Sequence, residues 1–122
     1  MKFYKHFYVT IELKEAIEEI KVREDLKNVQ ILKRAVMLFQ NEPTKSIPDN
    51  LKIKKRNDPN YTKRDAMFQV HIEEDMMKYV QEVAEKEECA YSVVLYYMLS
   101  EYCKTYNLLN DNMNHSLMVQ KE

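Results

Sequence analysis

Residues 67–72 alternate between two kinds of side chain, and one row consists of Met67, Gln69 and His71. A glutamine amide can donate and accept hydrogen bonds at once, and a histidine ring can donate one. A similar row lies near the start of the chain and contains His6 and Tyr8, with Thr10 or Tyr4 as further members. Both rows are candidates for a recognition surface, although residue type alone would equally suit the solvated face of a strand.

Basic side chains gather just before the second row. Lys63 and Arg64 precede it directly, and further upstream lie Lys52, Lys54, Lys55 and Arg56. Lys plus Arg is 19 against 20 for Asp plus Glu, so the formal net charge of −1 provides no positive field over the whole protein. Any attraction for a polyanion must therefore be local, and a basic linker of this kind can also be merely solvated.

The residue types that usually carry catalysis or bind metal do not form a recognisable pattern. The three histidines and two cysteines, His6, His71, His115, Cys89 and Cys103, lack the close spacing of a zinc site. No nucleophile stands near a base, and the absence of glycine excludes the glycine-rich phosphate loops. We expect neither enzymatic activity nor a cofactor or metal.

The composition predicts a folded protein that does not enter a membrane. Hydrophobic residues make up 45% and charged residues 32% of the chain, and no apolar run approaches the roughly 20 residues of a membrane span. The first residues lack the apolar core of a signal peptide, and two cysteines are too few for a disulfide framework. We expect a cytoplasmic location, and the many lysines and asparagines would fit a bacterial, plasmid or phage source.

The elements that would position these side chains follow from hydrophobic period. The alternation at residues 67–72 predicts a half-exposed strand, and a helical stripe follows it, ending near Glu88. That stripe is Met76, Tyr79, Val80, Val83 and Ala84. After a break, Ser92 is a candidate N-cap for a second helix. Its stripe is Val94, Leu95, Met98, Leu99 and Tyr102.

The N-terminal part repeats this plan with a constant offset of 63 residues. Leu13, Ala16, Ile17 and Ile20 precede the first stripe by that distance. Ile31, Leu32, Ala35, Val36 and Phe39 precede the second stripe by the same distance. A shared offset across two helices and a turn favours a tandem repeat over two unrelated helix pairs. Phe7, Val9 and Ile11 predict the first strand, but Lys5 at the position matching Phe68 leaves its register open by two residues.

Four segments result. An N-terminal strand-helix-helix unit spans residues 1–41, and a second unit spans residues 66–106. Between them, residues 42–65 hold all three prolines and the basic cluster and are predicted to be a linker. Residues 107–122 lose the helical period and are predicted to be a tail.

The stretch FQVHIEEDMMKYVQEVAEKEECAYSVVLYYMLSEY resembles the ribbon-helix-helix family of DNA-binding proteins, to which the Arc and MetJ repressors belong. Two departures are visible: Glu88 stands where the family usually has a turn glycine, and Glu73 stands near the usual helix-opening proline. A left-handed residue other than glycine costs about 1 kcal/mol. The resemblance implies a mainly α fold whose strands pair as an antiparallel ribbon, either inside one chain, as in the tandem protein TraY, or between two chains.

The resemblance also implies a role for the candidate residues. A ribbon of this kind enters the major groove of double-stranded DNA, so Met67, Gln69, His71, His6, Tyr8 and Thr10 are expected to face the bases. Phosphate contacts are expected from Lys63, Arg64, Lys54, Lys55 and Arg56, and from the helix start at Ser92 and Val93. The acidic residues Glu82, Glu85, Glu87 and Glu88 are expected to point away from DNA.

Three functions remain open at this stage. The first is a sequence-specific transcriptional repressor that occludes an operator. The second is an accessory DNA-binding protein of plasmid transfer or partition. The third is a helical protein-interaction module, antitoxin-like or a scaffold dimer, which the near-neutral charge favours.

Overall fold

The computed structural model describes residues 2–42, 46–55, 57–59 and 61–109. In this part of the chain there are two strands and four α-helices in the order strand, helix, helix, twice over. The first half consists of β1 (Lys2–Val9), α1 (Ile11–Glu24) and α2 (Asn28–Gln40). The second half consists of β2 (Ala66–Glu73), α3 (Glu74–Glu87) and α4 (Tyr91–Lys104). The protein is therefore mainly helical.

The two strands pair antiparallel with each other, so the halves meet within one chain. Phe7 stands opposite Phe68, and their rings are 5.5 Å apart at a tilt of 55°. The predicted strand at residues 67–72 is confirmed, with one more residue at each end. The first strand is shifted from expectation: β1 ends at Val9, and Ile11 opens α1 with 57% of its surface exposed.

The expected inward and outward sides of both strands are confirmed. Phe7, Val9, Phe68, Val70 and Ile72 are buried, while the residues between them face outward. The register question at Lys5 is also settled, because Lys5 pairs with Val70 and keeps the 63-residue offset to Phe68. Lys5 is half-buried, and its ammonium lies 5.3 Å from the centre of the Tyr91 ring. A cation-π contact thus replaces the aromatic packing that Phe68 provides.

Both halves turn between their helices in the same way. Asp25 has φ 55° and Glu88 has φ 57°, so each first helix ends on a left-handed residue that is not glycine. The next helix begins three residues later in each half, at Asn28 and at Tyr91. The expectation of a left-handed Glu88 is confirmed. The expectation that Ser92 caps α4 is wrong, since Ala90 is the N-cap and Ser92 is the second helical residue.

The core lies between the inner face of the ribbon and the four helices. The predicted stripes of α1 and α2 are buried as expected. In α3 the most buried residues are Met77, Val80 and Ala84, so the buried face is turned toward Met77, and Met76 is only half-buried. Tyr96 and Met98 of α4 are buried at the centre, and Tyr97 meets Phe39 edge to face at 6.3 Å.

Residues 42–65, the connecting segment between the halves, are more than a spacer where the structure describes them. A short 3-10 helix, Asp49–Lys52, buries Leu51, and Ile47 before it is buried as well. The tail also begins inside the fold, because Leu109 is buried. Residues 110–122 lie outside the described part, so the prediction for the rest of the tail stays a prediction.

Candidate nucleic-acid interface

The outward face of the ribbon brings the two predicted rows into direct opposition. His6 pairs with Gln69, Tyr8 pairs with Met67, and Tyr4 pairs with His71 at the level of the backbone register. His6, Tyr8, Met67, Gln69 and His71 are all exposed. Residues paired across antiparallel strands have Cβ atoms about 5 Å apart, so His6 and Gln69 form one continuous polar surface at the centre of the ribbon.

Gln69 is held from two directions. Its Nε2 lies 3.2 Å from Sδ of Met67, two residues away on the same outward face. Its backbone carbonyl accepts a hydrogen bond of 2.8 Å from Nδ2 of Asn28, the first residue of α2. The helix start of the first half therefore fixes the backbone of the second strand at Gln69.

Thr10 does not belong to the outward row. It lies beyond the end of β1 and is the N-cap of α1, where its Oγ1 accepts a hydrogen bond of 3.1 Å from the Leu13 amide. An N-cap hydroxyl satisfies a helix-start amide that would otherwise lack a partner. The expectation that Thr10 faces the bases is corrected by this placement, because β1 stops one residue earlier.

The start of α4 lies at one edge of the ribbon. A concave pocket of about 310 Å³ is lined there by His6, Phe7, Tyr8, Tyr61, Arg64, Tyr91 and Ser92. Two outward residues of β1 thus share a pocket with the first two residues of α4. The amides at the first positions of a helix have no acceptor within the helix and attract anions.

Val93 differs from the two residues before it at this helix start. Its amide already donates to the Ala90 carbonyl at 3.1 Å, and its side chain is buried. The amides of Tyr91 and Ser92 stand before the first turn closes. The predicted phosphate contact from the helix start therefore shifts by one residue, from Ser92 and Val93 to Tyr91 and Ser92.

Arg64 is positioned by two aromatic rings. The carbon at the centre of its guanidinium lies 5.5 Å from the Tyr61 ring and 5.6 Å from the Tyr96 ring. Arginine over an aromatic face combines cation-π attraction with planar stacking, and its donors at the edge of the fork remain directed outward. Arg64 is thereby presented in the same pocket as Tyr91 and Ser92.

Tyr96, beneath Arg64, is itself deeply placed. Burial raises the pKa of its phenol, and hydrogen bonds from Thr10 and Ser100 together with the nearby Arg64 charge oppose that rise. The phenol therefore stays neutral at ordinary pH. Arg64 accordingly rests on an uncharged ring, and its positive charge remains available to a ligand at the ribbon edge.

The remaining basic residues divide into two groups. Lys63, Lys54 and Lys55 are exposed, as a phosphate contact requires, and Arg56 lies outside the described residues. Lys52 is instead half-buried and lies 3.3 Å from Oε1 of Glu87. Glu87 is thus engaged with the connecting segment, whereas Glu82, Glu85 and Glu88 are exposed. The expectation that these four glutamates point away from DNA stays a prediction.

Sequence reasoning overlooked three contributors to this surface. Asn28 stands 63 residues before Tyr91, so the repeat offset pointed to it, but its contact with the Gln69 carbonyl depends on tertiary packing. Tyr61 lies in the connecting segment without a periodic signal. Lys5 reads as a break in the apolar row, and only the structure shows its ammonium over Tyr91.

Within the described ranges, no group of three or more His, Cys, Asp and Glu side chains could hold a metal ion. None of the helices described is both long and apolar enough to cross a membrane. Comparison of the chain with family models, curated proteins and solved structures gave no match.

Proposed function

We propose that this protein is a sequence-specific double-stranded DNA-binding protein with a ribbon-helix-helix fold, in which one chain supplies both halves. The observation that carries the proposal is the shared location of two features. The outward row of β1 and β2 lies beside a pocket that joins Arg64 to the start of α4. A reader of DNA needs base-facing polar groups and flanking phosphate contacts on one side, and the exposed row beside Arg64 supports both roles.

The ribbon would enter the major groove, which is about 12 Å wide and accepts two strands. Gln69 would bond an adenine through its amide, and His6 or His71 would donate to a guanine acceptor. Met67 would offer an apolar contact to a thymine methyl, and Tyr8 a hydroxyl. All five side chains are exposed, so they could reach base edges without any unfolding of the core.

Phosphate contacts would flank the groove. Arg64 and the amides of Tyr91 and Ser92 would bind the oxygens of one DNA phosphate. Lys63 would contact a phosphate of the same DNA strand. Each contact of this kind displaces a condensed counterion, so the affinity would fall steeply with salt. The exposed Lys54 and Lys55 could extend this path, while Lys52 is engaged by Glu87.

The biological role that we propose first is transcriptional repression by occlusion of an operator. A marker protein for plasmid transfer or partition would use the same interface, and the genes beside the selected site distinguish the two. Both roles place the protein in the cytoplasm, where thiols stay reduced. The two cysteines described, Cys89 and Cys103, are free thiols, and burial raises the pKa of Cys103 to about 12.

The test is selection of duplexes from a random pool, followed by affinity measurements at several salt concentrations. We expect an enriched motif and a linear fall of log K with log salt. Lys63→Gln is the test variant and Lys86→Gln is its matched control, since both lysines are exposed and only Lys63 adjoins the ribbon. A protein-interaction module without a DNA role would give no enriched motif and equal behaviour of the two variants.

A further inference from the structure

We infer that the protein reads a non-palindromic DNA site in one fixed orientation, with a single chain on each site. This inference rests on the proposed function and adds the class of DNA sequence that is bound. It follows from two observations. The backbones of the two halves are related by an internal two-fold axis, but the outward side chains of the ribbon do not obey that axis.

The backbone has an internal two-fold relationship. Helix starts, left-handed turn residues and helix N-caps of the two halves all differ by 63 positions, as Asp25 and Glu88 illustrate. The strand register agrees with this offset, because His6 and Gln69 are opposite each other and are also 63 positions apart. The two-fold axis therefore passes through the His6 and Gln69 pair.

The helices obey the same axis. Phe39 of α2 meets Tyr97 of α4, with ring centres 6.3 Å apart. Exchange of the halves converts this pair into Tyr102 and Arg34, and these two side chains also interact, since the Tyr102 hydroxyl raises the pKa of the Arg34 guanidinium. Two contacts of different chemistry thus occupy symmetry-related places, one aromatic and one polar.

The outward side chains that the structure describes differ in type wherever the axis exchanges two of them. At the axis, His6 exchanges with Gln69. One step away, Tyr8 exchanges with His71, and Met67 exchanges with backbone position 4, which is a tyrosine in the sequence. An imidazole, an amide, a phenol and a thioether favour different base edges. A palindrome offers the same edges to both halves, so it can satisfy only one half of this row.

The ribbon edges differ as well. On one edge the first helical residue is Asn28, whose amide is committed to the Gln69 carbonyl. On the other edge Tyr91 takes that place, stacked under the Lys5 ammonium and beside Arg64. The next residues are Val29 and Ser92, one apolar and one polar. The groups that could contact phosphate therefore differ between the two edges of the ribbon, just as the outward side chains differ between the two strands.

The connection between the halves keeps them in one chain. The segment at residues 46–55 packs Ile47 and Leu51 into the common core, and Glu87 holds it to α3. A two-strand ribbon is complete within the chain, so a second copy is not needed to form the reading surface.

The experiment compares the wild-type protein with a variant whose outward row is made two-fold. His6→Gln, Tyr8→His and Met67→Tyr together give equal residues at each pair of exchanged positions. All three side chains are exposed, so we expect an unchanged circular dichroism spectrum and thermal midpoint. Tyr8→His alone is the simpler second variant, and it changes one exchanged pair.

Both proteins are used to select duplexes from the same random pool, and sedimentation measures the number of chains on a saturated site. We expect the wild type to enrich a site without a dyad, bound by one chain. When one base pair of that site is replaced by the base pair that would make the site palindromic there, the affinity should fall roughly 5- to 100-fold. The triple variant should enrich a site whose centre is closer to a palindrome.

The outcomes separate the two proposals. Enrichment of a palindrome by the wild type, or two chains on each site, would overturn the asymmetric reading while DNA binding stands. An unchanged motif for the triple variant would also overturn it. If neither protein enriches a motif and binding is insensitive to salt, the proposed function itself fails.

Discussion

Glu87 and Lys52 form an ion pair of 3.3 Å that joins α3 to the connecting segment. The same carboxylate oxygen accepts a hydrogen bond of 3.1 Å from the Ile47 amide. Glu87 is a member of a glutamate-rich run and Lys52 of a basic cluster, so both look like surface charges in the sequence. Their pairing instead anchors the buried residues Ile47 and Leu51 against the helices.

Loss of the Glu87 carboxylate should therefore destabilise the fold. Glu87→Ala leaves the Ile47 amide and the Lys52 ammonium without this acceptor, and we expect the free energy of unfolding to fall by about 1–3 kcal/mol. The control is Glu85→Ala, two residues away on an exposed position. Urea denaturation measures both. Equal effects of the two variants would mean that the anchor contributes nothing.

The left-handed turn gives a prediction of opposite sign. Glu88 ends α3 with φ 57° and ψ 49°, a conformation that costs a residue with a Cβ about 1 kcal/mol. Glu88→Gly should raise the stability by up to about that amount. The same substitution within the helix, Glu85→Gly, should lower it by about 1 kcal/mol. Thermal unfolding of the pair distinguishes turn geometry from a general effect of glycine.

The cap of the first helix gives a third prediction. Thr10→Ala removes the hydrogen bond from the Leu13 amide, and we expect a loss of about 1 kcal/mol in the free energy of unfolding. Thr10→Ser should retain most of the stability, because its hydroxyl can accept the same bond. Since Thr10 lies outside the ribbon, the DNA motif selected by a folded Thr10→Ala protein should be unchanged. A changed motif would mean that Thr10 does contact the DNA bases.

Periodicity predicted the elements because it reflects burial, which is the same physical cause that forms them. The 63-residue offset and the two sides of each strand follow from this signal, whereas the left-handed turn at Glu88 is implied by the resemblance to the ribbon-helix-helix family. Ser92 was misassigned as a cap because serine favours that position on average, whereas the turn length from Glu88 places the helix start at Tyr91. The extent of β1 was similarly misjudged, because Ile11 continues the alternation although Thr10 already caps α1.

The interface was less predictable than the elements. Its outward row follows from strand parity, which is local. The contact of Asn28 with the Gln69 carbonyl joins residues far apart in the chain, and the stacking of Arg64 on Tyr61 and Tyr96 joins the connecting segment to α4. Neither contact leaves a periodic trace in the sequence. The pairing of Glu87 with Lys52 is equally non-local, and the run of glutamates around Glu87 gives no indication of it.

The proposed base reading makes a prediction for Gln69. Gln69→Ala should weaken binding to the selected site by about 1–3 kcal/mol and leave binding to random duplex nearly intact, because only the specific site uses the amide. Gln81→Ala is a matched control on the exposed surface of α3. The same comparison applies to His71→Ala. Equal losses on specific and random DNA would show that the side chain does not read sequence.

The proposed phosphate contacts make the last prediction, and the structure separates the two residues involved. Lys63 is exposed, so Lys63→Gln should leave the thermal midpoint unchanged and weaken binding to all duplexes alike. The slope of log K against log salt should become shallower by about 0.9 for the lost contact. Arg64→Gln should show the same change in slope, and in addition a loss of stability of about 0.5–1 kcal/mol, because Arg64 rests on Tyr61 and Tyr96. Both measurements need at least three salt concentrations, with Lys86→Gln as the control for a lysine remote from the ribbon. If Arg64→Gln lowers stability but leaves the salt slope unaltered, Arg64 is a packing residue and the DNA backbone runs elsewhere.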